Sequence, residues 1–529
     1  MSGFAVNRRG MLAFSVGGLV AAGLPRVAWA GAEFDEATVD ALVARFMTRF
    51  ETPGIAVAIV RPGVAPFLKG YGVRTMGKPA PVDVHTRFGI ASNSKSFTAA
   101  LLAQLVDAGT LAWDDPVTKY LPEFRMYDPA VTQMMTVRDL LVHRSGLALG
   151  QGDLMMFPTG THQPADVLKA LPLLKPARGF RAGYAYDNIL YIVAGLLIER
   201  VTGKPWTENM ASKILGPLGM ADAVPAPRLL NTDNVAGRHA RLGPPLRGMG
   251  PMEVIPPDEG PMVDAAGGIN ASVTDIAKWL GVQMAQGKLP DGTRLWSEAQ
   301  AKEMWTPQVI VASSNGPIPE MPTRAVTTTY ALGWGMGDYR GERLVAHSGG
   351  LSGQVTQTAM LPGRGIGVAV FSNTEDNTSG ALRNALLDLL TGAPAFDWVA
   401  WNASRVQGQQ DDALKALGTS LTTPPPGGPS LPLSAYAGRY RDPWYGDVVV
   451  TLKGSKLAID FTPTPVFKSA LDPWGPDAFR TRFAKGAGED AVVSFAVKDG
   501  KVTGVTMKAL SPLADFSYDF HDLAFVPVG

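Results

Sequence analysis

The sequence contains no cysteine. Disulfides, thiol nucleophiles and zinc–thiolate sites are thereby excluded. An excess of either charge is missing as well: 48 Lys and Arg stand against 47 Asp and Glu, for a formal net charge of +1. Such a balance provides no long-range field to gather DNA, RNA or anionic lipid, so no nucleic-acid partner is expected. The six histidines (His85, His143, His162, His239, His347 and His521) lie scattered without ligand spacing. His-Glu-x-x-His does not occur, so neither a metal nor another cofactor is expected. Long apolar runs are scarce too. The stretch at 11–24 falls short of the roughly 20 apolar residues that a membrane-spanning helix needs.

That stretch follows Asn7-Arg8-Arg9-Gly10 and precedes Ala28-Trp29-Ala30. Paired arginines, a short apolar run and a small-x-small site read as an export signal, twin-arginine-like or general secretory, at 1–30. The expected location is the bacterial periplasm, with no membrane span left once the signal is removed. The rest has the composition of a folded protein, 46% apolar and 18% charged. Its 529 residues suffice for about three domain-sized units.

Periodicity predicts a helix over 36–50, a strand over 55–60 and an antiparallel partner at 67–73. Residues 92–199 read as mostly helical. Strands return at 346–369 around the turn Leu361-Pro362-Gly363, with an apolar strand over 367–371 and a closing helix over 381–390. The order strands, helices, strands predicts a mixed α+β domain at 31–395, an antiparallel sheet flanked by helices with a helical subdomain. A helix and a Pro/Gly linker, Pro424-Pro425-Pro426-Gly427-Gly428-Pro429 at its heart, occupy 396–432. Alternating runs at 447–452, 456–461, 491–497 and 502–508, parted by Lys453-Gly454 and Asp499-Gly500, predict a small antiparallel β-barrel or sandwich over 433–529. Few contacts are expected across such a linker, so a chain cut beyond Pro424 should still fold.

Chemistry concentrates at Ser92-Asn93-Ser94-Lys95. A serine at a helix start with a lysine one turn on places Oγ and ammonium on one face. Taken alone, the pattern also fits an N-cap serine and a solvated lysine. Tyr186-Asp187-Asn188 precedes a helix; in an extended loop Tyr186 and Asn188 face one way, though a structural tyrosine and an N-cap asparagine fit as well. His347-Ser348-Gly349-Gly350 opens a strand whose glycines admit a close ligand or backbone. His143, in His143-Arg144-Ser145-Gly146, reads as a structural residue in a turn.

In this order, the segments at 88–99, 136–147, 186–203, 266–279 and 347–350 resemble the serine β-lactamase and penicillin-binding-protein-like hydrolases. The likeness is to the branch of class C β-lactamases, D-aminopeptidases and esterases, and it spans roughly 35–390. The tail resembles the lipocalin-like barrel appended to many of them. The resemblance implies Ser92 as nucleophile and Lys95 with Tyr186 as the proton-transfer pair, either being the base. It implies Asn188 on the substrate amide, His347, Gly349 and Gly350 at the substrate, and an oxyanion hole from the Ser92 and Gly350 N–H groups. At 347 β-lactamases and transpeptidases usually carry lysine, which meets a substrate carboxylate. Histidine there implies an esterase or peptidase rather than a dedicated β-lactamase.

The expected activity is hydrolysis of an amide, a small peptide (D-residue-containing or linearised cyclic) or an ester through an acyl-enzyme. A β-lactamase or DD-carboxypeptidase is the alternative, and a non-catalytic peptidoglycan- or peptide-binding protein a second one. An α/β-hydrolase is disfavoured because Gly-x-Ser-x-Gly is absent. The partner expected is a small-molecule or peptide substrate; the sequence leaves the oligomeric state open.

Overall fold

The computed structural model describes residues 34–258, 260–418 and 423–529. The leader expected at 1–30 lies outside the described residues. Helix α1 (Glu36–Phe50) starts where the Asp35 carboxylate accepts from the N–H groups of Ala37 and Thr38, and buries Val39, Val43, Phe46 and Phe50 at helical spacing. Strands β1 (Gly54–Val60) and β2 (Phe67–Gly72) follow. A largely helical stretch holds α2 (Ser94–Asp107), α3 (Ile189–Thr202) and α4 (Val273–Met284). Then come β3 (Val309–Ser313), β4 (Thr327–Tyr330), β5 (Gly335–Tyr339), β6 (Glu342–Leu351), β7 (Gln354–Leu361) and β8 (Ile366–Ser372). Helices α5 (Thr378–Thr391) and α6 (Trp398–Leu417) close this part.

The eight strands form one antiparallel sheet in the order β2-β1-β8-β7-β6-β5-β4-β3. Strands β1 and β8 are buried on both faces, which is why they read as unbroken apolar runs. Ile55, Val57 and Ile59 of β1 join the core shared with α1, α5 and α6. Ala56 and Ala58, pointing the other way, join the core shared with α2 and α4. There Phe97 stacks on Trp279 with ring centroids 3.7 Å apart. The mixed α+β class expected from the sequence is the one observed.

Eight further strands, β9 (Gly438–Asp442), β10 (Gly446–Lys453), β11 (Lys456–Phe461), β12 (Lys468–Gly475), β13 (Ala478–Arg480), β14 (Ala491–Lys498), β15 (Lys501–Ala509) and β16 (Ala524–Pro527), close into a barrel. Pairing of Tyr440 with Pro527 seals it and leaves no free edge.

The expectation of few contacts across the linker is corrected. Thr161 N–H donates to Pro463 O at 2.7 Å, and Lys485 pairs with Glu253 at 2.6 Å. The Asp519 carboxylate accepts from the Gly152 N–H at 2.7 Å. A composition break marks where the chain changes character. It carries no information on how the parts then pack.

Candidate active site

Ser92 sits in a single 3-10 turn, Ala91–Asn93, that runs directly into α2. Ala91 ahead of it has φ = +49°, in the left-handed region that disfavours a side chain. The turn is held against the sheet by a small network. Asn93 Nδ2 donates to Thr356 Oγ1 at 2.9 Å, Thr358 Oγ1 to Asn93 Oδ1 at 2.7 Å, and Thr356 Oγ1 to Ile90 O at 3.0 Å. Such close contact requires Gly349, where an added Cβ would stand 2.1 Å from Ile90 O. Gly349 is therefore a packing residue beneath the turn, not the cleft-facing one expected from the sequence. Its neighbour Gly350 does line the cleft. Pairing of β6 with β5 stops at Ala346–Gly335, while pairing with β7 continues to Leu351–Gln354. Beyond Ala346 one edge of β6 is thus left unpaired beside Ser92.

Lys95, one helical turn on, is completely buried. Its Nζ lies 2.9 Å from Ser92 Oγ, 2.7 Å from Asn188 Oδ1 and 2.9 Å from Ala266 O. A carbonyl and an amide oxygen can only accept, so they take two N–H groups. The third direction points at a hydroxyl that can donate to a free amine lone pair. Burial lowers Lys95 from its ordinary value to about 7, against the opposing pull of Asp153 and Asp187. A neutral amine is accordingly accessible near neutrality.

Tyr186 presents its ring to the Lys95 ammonium at 4.9 Å and packs on His143 at 4.1 Å. Its hydroxyl is buried with no hydrogen bond of good geometry, and burial, opposed by the nearby Ser92 hydroxyl, raises the phenol well above its ordinary value. Asn188 is oriented from behind, its Nδ2 donating to Asp153 Oδ2 at 2.7 Å. One further N–H and one lone pair of the carboxamide remain for a ligand. His143 is buried and accepts the Asp187 N–H at Nδ1, 3.2 Å away, as a structural residue does.

His347 has one assignable tautomer. Nδ1 lies 2.6 Å from Ser348 O, an acceptor only, so Nδ1 carries the proton. Nε2 then accepts from Tyr330 OH at 2.8 Å. Burial, then the Lys95 charge, lowers this histidine to about 3, so it is neutral at any physiological pH.

Ser92, Tyr186, Asn188, His347 and Gly350 all line one cleft of about 930 Å³. Four of its other residues, Tyr330, Phe516, Ser517 and Arg383, carried no local signal, and neither did Asp153 behind the wall. Tyr330 comes from β4, next to the edge strand β3, and Asp153 from a turn among glycines. Phe516 and Ser517 come from the barrel, and Arg383 from α5. The Arg383 guanidinium bonds to Gln357 Oε1 at 3.0 Å and Asn384 Oδ1 at 2.8 Å. Among the described residues no carboxylate reaches it. No helix of the described residues is long and apolar enough to cross a membrane.

Residues 39–393 match the family model described as Beta-lactamase. The chain belongs to the Beta-lactamase family. Residues 422–527 match a domain of unknown function, DUF3471. Unguisins hydrolase ungD of Aspergillus violaceofuscus (strain CBS 115571) is 29% identical over 444 residues, covering 78% of this chain and 76% of its own. The fold is shared with the octameric penicillin-binding protein homologue from Pyrococcus abyssi, at TM-score 0.58 and 22% identity over 90% of this chain and 98% of that one. It is also shared with a D-stereospecific amidohydrolase from Streptomyces, at TM-score 0.53 and 22% identity over 68% and 100%. As a Beta-lactamase family member, the protein is a serine hydrolase.

Proposed function

We propose that this protein is an exported hydrolase that cleaves amides, small peptides or esters through an acyl-enzyme on Ser92. The arrangement of Lys95 carries the reading: two of its three partners can only accept, and the third is the Ser92 hydroxyl. Lys95 is then the base that removes the hydroxyl proton. Ser92 Oγ forms a bond to the substrate carbonyl carbon, and the oxyanion is held by the N–H groups of Ser92 and Gly350. One such donor typically contributes about 10²–10³ in rate. Tyr186, kept protonated by burial, gives its proton to the departing amine or alkoxide and regains one from Lys95. Water then cleaves the ester by the reverse route. The arginine pair Arg8-Arg9 and the Ala28-Trp29-Ala30 site support export to the periplasm.

Neutral His347 supports substrates that need no carboxylate at that point. The relative named unguisins hydrolase supports a hydrolytic rather than a binding role. Arg383 favours a second reading, a β-lactamase or DD-carboxypeptidase. It is a cation in the cleft wall whose hydrogen-bond partners among the described residues are neutral amides, so a substrate carboxylate can be its counter-ion.

A fluorophosphonate probe followed by p-nitrophenyl esters, L- and D-peptide anilides and nitrocefin decides between them. Wild type is expected to label at Ser92 and to prefer esters or anilides, while Ser92→Ala folds but does not label. Nitrocefin turnover far above any ester, lost in Arg383→Gln, would establish the second reading. A Ser92→Ala variant that still labels would remove Ser92 as nucleophile, and a wild type that labels nowhere would favour the binding protein.

A further inference from the structure

The crossover between β15 and β16, which belongs to the barrel, reaches the catalytic cleft with Phe516 and Ser517, and the residues that follow pack behind its wall. Phe516 lies over Gly150, where an added Cβ would stand 2.7 Å from its ring and its carbonyl oxygen, and meets the Tyr186 ring edge-on at 6.0 Å. Ser517 Oγ donates to Asp153 Oδ2 at 2.8 Å. Tyr518 packs beside Phe520. The Asp519 carboxylate accepts from Gly152 N–H at 2.7 Å and Leu154 N–H at 3.1 Å, on either side of Asp153. The backbone and the side chain of Asp153 are therefore both fixed from the barrel.

Asp153 is completely buried and its Oδ2 has two donors, Ser517 and Asn188. Asn188 in turn accepts from Lys95, which faces Ser92. We propose that Ser517 and Asp519 are positioning residues which, through Asp153 and Asn188, aim the Lys95 amine at Ser92, so that the barrel completes the catalytic apparatus of the neighbouring domain. This rests on the acyl-enzyme reading above. The carboxamide is the key joint. Without Asp153 accepting at Nδ2, Asn188 can rotate and present Nδ2 to Lys95, a donor against a donor. A misplaced base slows proton transfer while leaving the walls that bind substrate in place, and displacements of about 1 Å can cost about 10² in rate.

The test uses full-length protein and the p-nitrophenyl ester that wild type turns over best. Ser517→Ala is expected to lower kcat about tenfold with KM within about twofold, the loss of one hydrogen bond to an acidic group. Asp153→Ala is expected to lower kcat by about 10² or more, and Asp153→Asn, which keeps an acceptor oxygen, to recover most of that loss. Fluorophosphonate labelling of Ser92 should slow in the same order. Should Asp153→Ala fail to fold, Ser517→Ala and Asp153→Asn still report, because each keeps the packing volume close to native. Variants that fold and label at the wild-type rate would overturn the relay alone. A rise in KM at unchanged kcat would also overturn it, assigning the crossover to substrate binding. A wild type that forms no Ser92 adduct would remove the acyl-enzyme reading and this one with it.

Discussion

Lys95 and His347 are both nitrogen bases at the same site, and burial acts on both in the same direction with opposite outcomes. It brings the lysine down into the working range, to about 7, and takes the histidine out of it, to about 3. A base must be neutral to accept a proton, so kcat/KM for an uncharged ester should rise as pH passes through about 7 and level off above it. The Tyr186 phenol stays protonated throughout and adds no opposing limb in that range. A profile that is flat between about pH 5 and 9 would contradict Lys95 as the base. Lys95→Ala and Tyr186→Phe should each slow acylation by about 10² or more, as loss of a general acid or base does. The double variant should be little worse than either, because both residues serve one proton path. Stopped-flow acylation rates for the four proteins check this, and additive losses would separate the two roles.

At the scale of elements, what was legible in the sequence follows burial. Helix α1 and strands β1, β2, β7 and β8 stand close to where the sequence predicts them; the apolar runs of β1 and β8, covered on both faces, are the plainest signal. Strands β3, β4 and β5 were not read. β3 is exposed along nearly its whole length, β4 is a run of threonines and β5 alternates with glycine, so none carries an apolar alternation. The same contrast holds for the cleft. Ser92, Lys95, Tyr186, Asn188 and His347 lie in short motifs with characteristic spacing. Tyr330, Asp153, Arg383 and Ser517 owe their position to tertiary contacts that leave no local trace.

Gly349 was read as a substrate residue, because a sequence shows that a glycine is required and not which neighbour requires it. Gly349→Ala puts a Cβ against Ile90 O and pushes the Ser92 turn off β6. It should destabilise the protein by about 1–3 kcal/mol, the cost of overpacking, and lower kcat as well. Gly350→Ala meets nothing within 4 Å and should leave the melting temperature unchanged. Thermal melts of the two variants make the comparison, and equal losses would refute the packing role.

For the whole molecule, the two parts share one apolar core. Buried residues of the barrel are continuous with those of α2 and α3, and Leu513 joins a second cluster with Leu246, Met249 and Ala413. A chain ending at Pro424 would expose the face around Gly150 and Asp153 to water and leave the buried Asp153 without Ser517. It should be insoluble or, if recovered, should label with fluorophosphonate far more slowly than the full chain. Soluble yield and labelling rate measure this directly. A soluble truncation of undiminished rate would restore the independence that the Pro/Gly linker first suggested.

One hydrogen bond, from Ser517 to Asp153, links residues 364 positions apart. On a ribosome adding about 5–20 residues per second, about 20–70 s separate the synthesis of its two ends. Ser92 and Lys95 are made before that interval opens and Tyr186 and Asn188 early in it, with the barrel side of their cleft still untranslated. A nascent chain therefore carries its nucleophile long before it can aim the base. If the barrel aims Lys95 as proposed, the order of synthesis leaves the hydrolase without that alignment until the protein is almost finished.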